Sequence, residues 1–255
     1  MKPTLVKVVI PIYRPLDKLE QASLAQSAKM LSRYPIVLLH PKEMDMSGFT
    51  AEYPSLETLG VSAEWLGRAN GIAGYNRMCL SAAFYELFDD CEYILICQTD
   101  AWIFRDELSE WCAKGYDYVG APWVRRAIYD LPLIKQFMAL RRRLCGPTDR
   151  QLLYGKVGNG GLSLRRVESC RNACTKYAAI IEEFLSHRHH IYNEDVFWAT
   201  MPSEFRYPTE REALAFAFDT NPRYCYRLMG NKLPFGCHSW TKPKMYRFWR
   251  TIIKL

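Results

Sequence analysis

The chain has 255 residues, of which 49% are hydrophobic and 24% charged, and this composition excludes fibrous and disordered proteins. No run approaches the eighteen or so uncharged apolar residues of a membrane span, and the first apolar run is interrupted at Lys7, so a secreted or membrane-spanning protein is not expected. The chain has nine cysteines, which is an odd number, and several of them lie within apolar segments. They indicate reduced thiols in the cytoplasm rather than a disulfide framework.

The net charge of +7 is concentrated in two segments. Residues 125–150 contain seven Lys or Arg against two Asp, and residues 241–255 contain five Lys or Arg and no side-chain acid. No recognisable nucleic-acid reading module accompanies them, so nucleic acid is not expected as a partner. Because both segments also contain apolar residues, they favour contact with an anionic surface or acceptor.

The periodicity of the first hundred residues predicts alternating strands and helices. Strands are predicted over 5–12, 36–39, 61–66 and 92–97, and helices over 16–31 and 72–87. This alternation is typical of an α/β fold with an open, mainly parallel sheet flanked by helices. Ligands bind such sheets beyond the carboxyl ends of the strands, so the residues that follow each strand are the first candidates for a site.

The second half of the chain has a different pattern, which predicts a mixed arrangement. Residues 131–144 are basic and apolar together, residues 155–161 are rich in glycine, and residues 162–165 alternate like an edge or antiparallel strand. Amphipathic helices are predicted over 167–185 and from Glu194 onward. No linker or repeat divides the chain, so we expect one domain.

Gln98, Thr99 and Asp100 stand directly after the strand predicted over 92–97. One carboxylate in that position can hold Mg²⁺ or Mn²⁺ if a substrate diphosphate supplies further oxygen ligands. The alternative role for Asp100 is to cap the turn that follows the strand.

Three further features carry candidate chemistry. Three glycines surround Asn159 in a segment that lacks the spacing of a P-loop or a dinucleotide fingerprint; it either lets the backbone approach a ligand or forms a tight turn. Glu194 and Asp195 open a helix, where one of them can act as a general base or both can serve as capping residues. His238 is either a metal ligand or a packed histidine.

Seven short motifs resemble one family when they are taken in order. They are VIPIY at 9–13, GYNR at 74–77, QTDA at 98–101, GYDYVGAPW at 115–123, GNGGLSLR at 158–165, NEDVFW at 193–198 and PFGCH at 234–238. Together, over roughly residues 5–240, they resemble a bacterial glycosyltransferase family long catalogued as a domain of unknown function, similar in fold to GT-A enzymes.

The resemblance implies a nucleotide-sugar-dependent transferase with a Rossmann-like donor half over about 1–122 and a mixed acceptor half over about 123–240. Residues 241–255 then form a basic amphipathic tail. In GT-A enzymes an Asp-x-Asp motif binds the Mn²⁺ or Mg²⁺ that bridges the donor diphosphate. Here Gln98 replaces the first Asp, and the family pattern makes His238 the second metal ligand beside Asp100.

The resemblance also implies roles for individual residues. The expected donor-binding residues are Pro11, Ile12, Tyr13, Asn76, Arg77, Gln98, Thr99 and Asp100. The expected sugar- and acceptor-binding residues are Asn159, Gly160 and Gly161. Trp123 is added to them for its residue type, since its ring can stack on a sugar face, although large aromatic side chains more often pack in the core. Asp195 is preferred to Glu194 as the base of an inverting reaction, and a retaining reaction stays open.

The expected reaction moves a sugar from a nucleotide sugar, with a UDP-sugar favoured, to a glycan acceptor for a surface polysaccharide such as a capsule. A lipid-linked acceptor is one option, in which residues 241–255, together with 131–143, lie on an anionic membrane at the inner face of the cell membrane. A C-terminal helix packed on the body is the alternative for that tail.

The alternative function is a non-catalytic carbohydrate- or nucleotide-binding protein. A nucleotidyltransferase ranks last, because residues 8–13 lack a glycine-rich phosphate-binding stretch.

Overall fold

The computed structural model describes residues 4–255, and its strands form two sheets. The strands are β1 (Thr4–Pro11), β2 (Ile36–Pro41), β3 (Glu57–Val61), β4 (Cys91–Cys97), β5 (Trp102–Ile103), β6 (Tyr118–Val119), β7 (Leu162–Arg166), β8 (Ala217–Phe218) and β9 (Gly236–Cys237). The central sheet has the order β3-β2-β1-β4-β7-β6, and the smaller sheet has the order β5-β9-β8.

The central sheet is mainly parallel, as predicted. Strands β3, β2, β1 and β4 run parallel to one another, and Val8 of β1 pairs with Ile36 on one side and with Leu95 on the other. Strand β7 runs antiparallel to both β4 and β6. The sequence predicted an edge or an antiparallel strand here, and the antiparallel alternative is confirmed, since β6 covers the outer side of β7.

Helices lie on both faces of the central sheet and beyond its ends. They are α1 (Lys18–Met30), α2 (Ser47–Glu52), α3 (Gly71–Cys79), α4 (Ala82–Glu86), α5 (Leu108–Ala113), α6 (Pro132–Cys145), α7 (Val167–Lys176), α8 (Ala178–Ser186), α9 (Glu194–Thr200), α10 (Glu210–Phe216), α11 (Pro222–Leu228) and α12 (Pro243–Trp249). Helix α1 begins with a capping box between Asp17 and Glu20, which satisfies the first free amides of the helix. No helix among residues 4–255 has the length and apolar character needed to span a bilayer.

Three predicted boundaries are wrong. The third strand occupies Glu57–Val61 rather than 61–66. It is an edge strand with polar, exposed residues, and the apolar residue that suggested the later position, Leu66, is buried in a turn. The helices predicted over 72–87 and 167–185 are each divided in two, at the extended Ser81 and at Tyr177.

Around the central sheet the core lies in two layers, because successive side chains of a strand point to opposite faces of the sheet. Val9 and Ile96 face one layer, whereas Val8, Ile10 and Leu95 face the other. The central strands are therefore buried on both sides, which explains why they read as nearly unbroken apolar runs.

The two basic segments have different environments. Within 241–255, Trp249 is completely buried and packs against Phe218 and Phe104. This is the position expected of a C-terminal helix packed on the body, and membrane contact by this tail stays a prediction. Helix α6, in contrast, buries only Met138.

The nine cysteines form no disulfide. Eight of them are buried, and Cys145 at the end of α6 is exposed. This agrees with the prediction of reduced thiols.

Candidate functional site

A cavity of about 390 Å³ lies at the carboxyl ends of β1 and β4. Pro11 and Tyr13 line it from the end of β1, and Gln98, Thr99 and Asp100 line it from the end of β4. Parallel neighbouring strands end at the same edge of a sheet, so their following residues meet there. The structure thus brings together five of the residues predicted to bind the donor.

Three other residues predicted to bind the donor do not line this cavity. Ile12 is buried in the core, because it alternates with Pro11 and Tyr13 and points to the opposite side. Arg77 is exposed on the outer side of α3, two residues from Tyr75, which lines the cavity. Asn76 is buried and serves a different partner.

The side chain of Asn76 supports the start of α9. Its Oδ1 accepts a hydrogen bond from the backbone N–H of Glu194 at 3.2 Å, and its Nδ2 donates to Asn193 Oδ1 at 3.2 Å. Asn76 therefore satisfies a free amide at a helix N-terminus. This contact indicates a positioning role for Asn76, and its contact with ribose or phosphate stays a prediction.

Charged side chains of both signs line the cavity. Arg14 donates two hydrogen bonds to the carboxylate of Glu20, at 2.8 and 2.7 Å, and Thr99 Oγ1 donates to the same carboxylate at 3.1 Å. Lys242 lines the opposite part of the cavity, with its Nζ donating to Ser239 Oγ at 2.8 Å. Lys242 was assigned to the tail in the sequence analysis and was missed as a site residue.

A cluster of polar side chains surrounds His238, which follows β9. Its Nε2 lies 3.1 Å from Asp100 Oδ1 and 3.2 Å from Gln98 Oε1, and its Nδ1 lies 3.1 Å from Asp219 Oδ1. Strands β8 and β9 are parallel neighbours, so Asp219 after β8 and His238 after β9 meet at one edge. Sequence reasoning missed Asp219.

The carboxylates control the charge of His238. Burial favours the neutral ring, but Asp100 and Asp219 outweigh this effect and raise the pKa of His238 to about 10. Burial opposes ionisation of Asp100, yet the charges of His238 and Lys242 hold its pKa below the ordinary value. In the absence of a metal, the cluster therefore contains ionised Asp100 beside a charged imidazole.

The donor set around Asp100 fits a divalent metal that also binds a diphosphate. Among residues 4–255, no three His, Cys, Asp or Glu side chains form a complete metal-binding group. Asp100 Oδ1 and Gln98 Oε1 nevertheless both lie within hydrogen-bond distance of His238 Nε2, and substrate oxygens would supply the remaining coordination positions. Asp219 would hold the other ring nitrogen of His238, which is the usual outer contact of a metal-binding histidine.

The glycine-rich segment 158–161 packs tightly against the other motifs. A Cβ atom on Gly161 would lie 2.0 Å from His238 Nε2, and one on Gly160 would lie 1.8 Å from Glu194 Oε1. Only glycine fits at these two positions. Asn159, at φ 59°, donates its Nδ2 to the carbonyl of Ala121 at 2.9 Å. The segment, which was predicted to approach sugars, therefore also fixes His238 and Glu194 in place.

Glu194 and Asp195 are neighbours in α9 with different environments. The carboxylate of Glu194 is buried and lies 3.0 Å from the guanidinium of Arg165, which is completely buried. Asp195 is half-buried, and burial, followed by the negative charge of Glu194, raises its pKa to about 7. This geometry favours Asp195 over Glu194 as the group that exchanges a proton with substrate.

Arg165 is a second residue that sequence reasoning missed. It lies in β7, donates to Tyr85 Oη at 3.1 Å and to Ser163 Oγ at 3.0 Å, and its charge is compensated by Glu194. A charged side chain on the same face of β7 as Ser163 was the only available signal. The ion pair between Arg165 and Glu194 therefore connects β7 of the central sheet to the start of α9, next to Asp195.

Trp123 lines a second cleft of about 230 Å³. Arg141 of α6, Tyr154, Thr220 and Asn221 contribute to the same cleft. Trp123 also touches Gly158, since a Cβ there would lie 2.0 Å from its ring. The cleft therefore adjoins the glycine-rich segment on one side and Thr220, the residue after Asp219, on the other.

Comparisons with known proteins agree on a fold and leave the activity open. The sequence profile of a family described as protein of unknown function, DUF5672, matches residues 56–238. No protein of curated function matches the sequence.

Solved structures of glycosyltransferases are similar over nearly the whole chain. Mouse xyloside xylosyltransferase 1, in its apo form, has a TM-score of 0.53 at 11% identity and covers 92% of this chain and 97% of that one. The galactosyltransferase LgtC, in complex with donor and acceptor sugar analogues, has a TM-score of 0.56 at 13% identity, covering 98% and 97%. An active-site mutant of LgtC gives 0.55 at 16% identity, covering 91% and 86%. The fold is therefore that of the GT-A glycosyltransferases.

Proposed function

The chain belongs to the DUF5672 family, and we propose that it is a metal-assisted glycosyltransferase that moves a sugar from a nucleotide sugar to a glycan acceptor. The observation that supports this proposal is the convergence of Asp100, His238 and Gln98 beside the cavity of about 390 Å³. The cavity lies where ligands bind in sheets of this kind.

The donor diphosphate is proposed to lie between Asp100 and Lys242. A bound Mn²⁺ or Mg²⁺, held by Asp100 and His238, would neutralise charge on the leaving diphosphate. Lys242, which lines the same cavity, supplies a fixed positive charge for the phosphate oxygens. Pro11, Tyr13 and Tyr75, which also line the cavity, are proposed to contact the nucleoside, with UDP as the first nucleotide to examine.

Transfer itself is proposed to use Asp195. The bond between the anomeric carbon and the diphosphate oxygen breaks, and a bond from the acceptor oxygen to that carbon forms. The acceptor proton passes to the Asp195 carboxylate, whose pKa of about 7 suits a base near neutral pH. This assignment requires inversion at the anomeric carbon, so the anomeric configuration of the product, read by NMR, decides it. A retained configuration would assign Asp195 a role other than base.

The acceptor is proposed to bind along the cleft at Trp123. Thr220 and Asn221 provide polar partners of the kind that sugars use, and the mostly buried indole of Trp123 forms part of the cleft wall. A glycan for a surface polysaccharide, made at the cytoplasmic side of the membrane, is the acceptor class we propose.

The test measures donor binding by thermal unfolding. The protein is heated with UDP, other nucleotides and their sugars, in Mn²⁺, in Mg²⁺ and in chelator. A ligand at about one hundred times its dissociation constant adds about 2.7 kcal/mol, a shift of several degrees. The expected shift requires metal and is lost in Asp100→Asn.

The matched control is Asp130→Asn, because Asp130 is an exposed partner of Arg125 and does not line the cavity. It should retain the full shift. If no nucleotide shifts the transition in any metal, the donor site is refuted.

A non-catalytic sugar- or nucleotide-binding protein is the second candidate, and the replacement of an acidic ligand by Gln98 favours it. It predicts the same thermal shift with no release of nucleoside diphosphate when acceptors are supplied. Turnover therefore separates the two functions.

A further inference from the structure

Helix α6 presents an exposed apolar stripe to solvent. Leu133, Phe137, Leu140 and Leu144 are 81%, 64%, 56% and 77% exposed. At 3.6 residues per turn these four positions fall within about 60° of arc, so they form one continuous line along the helix. The face that contacts the protein is a different one, marked by the buried Met138.

Positive charges stand on both sides of this stripe. On the same helical projection, Arg141 lies about 70° to one side of the centre of the stripe, and Arg143 lies about 90° to the other side. Lys135 and Arg142 add two more cations, and Pro132–Cys145 contains no acidic residue. All four basic side chains are on exposed residues.

We propose that α6 is an interfacial helix that binds an anionic lipid bilayer. Its stripe enters the boundary of the acyl chains while the flanking arginines contact lipid phosphates, the arrangement by which amphipathic helices lie in a membrane surface. A duplex or single-stranded nucleic acid would match the cations but would leave the four apolar side chains without a partner. A second copy of α6 would match the stripe but would bring like charges together.

The position of α6 gives the bilayer a connection with the site. Arg141 lines the cleft that also contains Trp123 and Tyr154. An acceptor carried by a membrane lipid would therefore reach this cleft from the side of α6. This last step rests on the proposed function, whereas bilayer binding by α6 does not.

The test is flotation of the full chain with vesicles in low salt. Vesicles of phosphatidylcholine with one third phosphatidylglycerol should carry the protein, and pure phosphatidylcholine should carry much less. Because each basic residue near an anionic surface contributes about fivefold in partition, Arg141→Gln with Arg143→Gln, which removes the two flanking arginines, should reduce binding about thirtyfold. In high salt, which screens the charges, the binding that remains should depend on the apolar stripe. Leu133→Ser with Phe137→Ser should abolish this remaining binding.

Matched controls remove the same groups elsewhere. Arg188→Gln with Arg223→Gln deletes two exposed arginines outside both basic segments, and Leu87→Ser with Leu228→Ser deletes two exposed leucines there. These variants should bind as the parent does. Thermal unfolding without vesicles should be unchanged in every variant, because the substituted side chains are exposed.

Three results overturn the proposal. They are no binding to anionic vesicles, an equal loss in the control variants, or a concentration-dependent dimer that disappears in the Leu133→Ser, Phe137→Ser variant. The assay contains no nucleotide sugar, so its failure leaves the proposed donor site standing. Failure of donor binding likewise leaves bilayer binding standing.

Discussion

The proposed donor side and the proposed transfer side of the site contain charged residues in different environments. On the donor side, Asp100 and Lys242 line an open cavity, where a ligand can reach them. On the transfer side, Glu194 and Arg165 are buried and paired with each other, and only Asp195 keeps contact with solvent. Charged groups at the open side are therefore available to bind a ligand, whereas the charged pair at the buried side holds the neighbouring residue, Asp195, in position.

The largest effect is expected from Asp195→Asn. Loss of a general base should reduce kcat by about 10²–10⁴, while the donor dissociation constant stays within a factor of two or so. Single-turnover kinetics and donor titration measure the two quantities separately. Full activity in this variant would remove Asp195 from the proton transfer.

A large loss of stability is expected from Arg165→Met. Breaking a buried pair leaves Glu194 as an uncompensated charge, which costs about 3–5 kcal/mol in the free energy of unfolding. Its neighbour Arg166 is the matched control, because it forms an exposed pair with Glu92 worth about 0–1 kcal/mol. Urea unfolding of the two Met variants should separate them clearly, and equal values would contradict the positioning role.

A smaller effect is expected from pH. A base with a pKa of about 7 must lose its proton to act, so kcat/KM should fall about tenfold for each pH unit below 7 and level off above it. Glu194 and Asp219 oppose ionisation of Asp195, and His238 favours it. Glu194→Gln should therefore move the profile to lower pH, and a profile that does not move would exclude this coupling.

The smallest effect is expected on the donor side, from Lys242→Met. Losing one charged contact to a phosphate should weaken donor binding about tenfold. Lys244, two residues later and exposed outside the cavity, is the control and should have no effect when replaced by Met. An equal loss in both would mean that general charge, and no specific contact, attracts the donor.

The donor side is largely predictable from the sequence because it depends on local signals. A buried apolar run followed by Asp100 marks the end of a strand, and all parallel strands of the sheet deliver their next residues to one edge. Strands β1, β2 and β4 were located for this reason. The second proposed metal ligand, His238, required the resemblance to a family, since β9 has only two residues and shows no periodicity.

The rest depends on contacts between distant residues. Asp219 follows the two-residue strand β8, which was not recognised, although the apolar residues Phe216, Ala217 and Phe218 before it form the same pattern as β4 before Asp100. Arg165 meets Glu194 only in the folded chain. Asn76 and Asn159 were predicted to bind the donor and the sugar, and in the structure each forms a hydrogen bond with a backbone group of another segment.

The difference in exposure among the thiols allows selective labelling of this protein. Cys145 is exposed at the last residue of α6, and burial raises the pKa of thiols such as Cys79 and Cys97 to about 12, which suppresses the reactive thiolate. A thiol-specific fluorophore or spin label therefore attaches at one position of the native chain without any substitution. The other eight thiols become reactive only when the chain opens, so the extent of labelling reports the fraction of molecules that are folded.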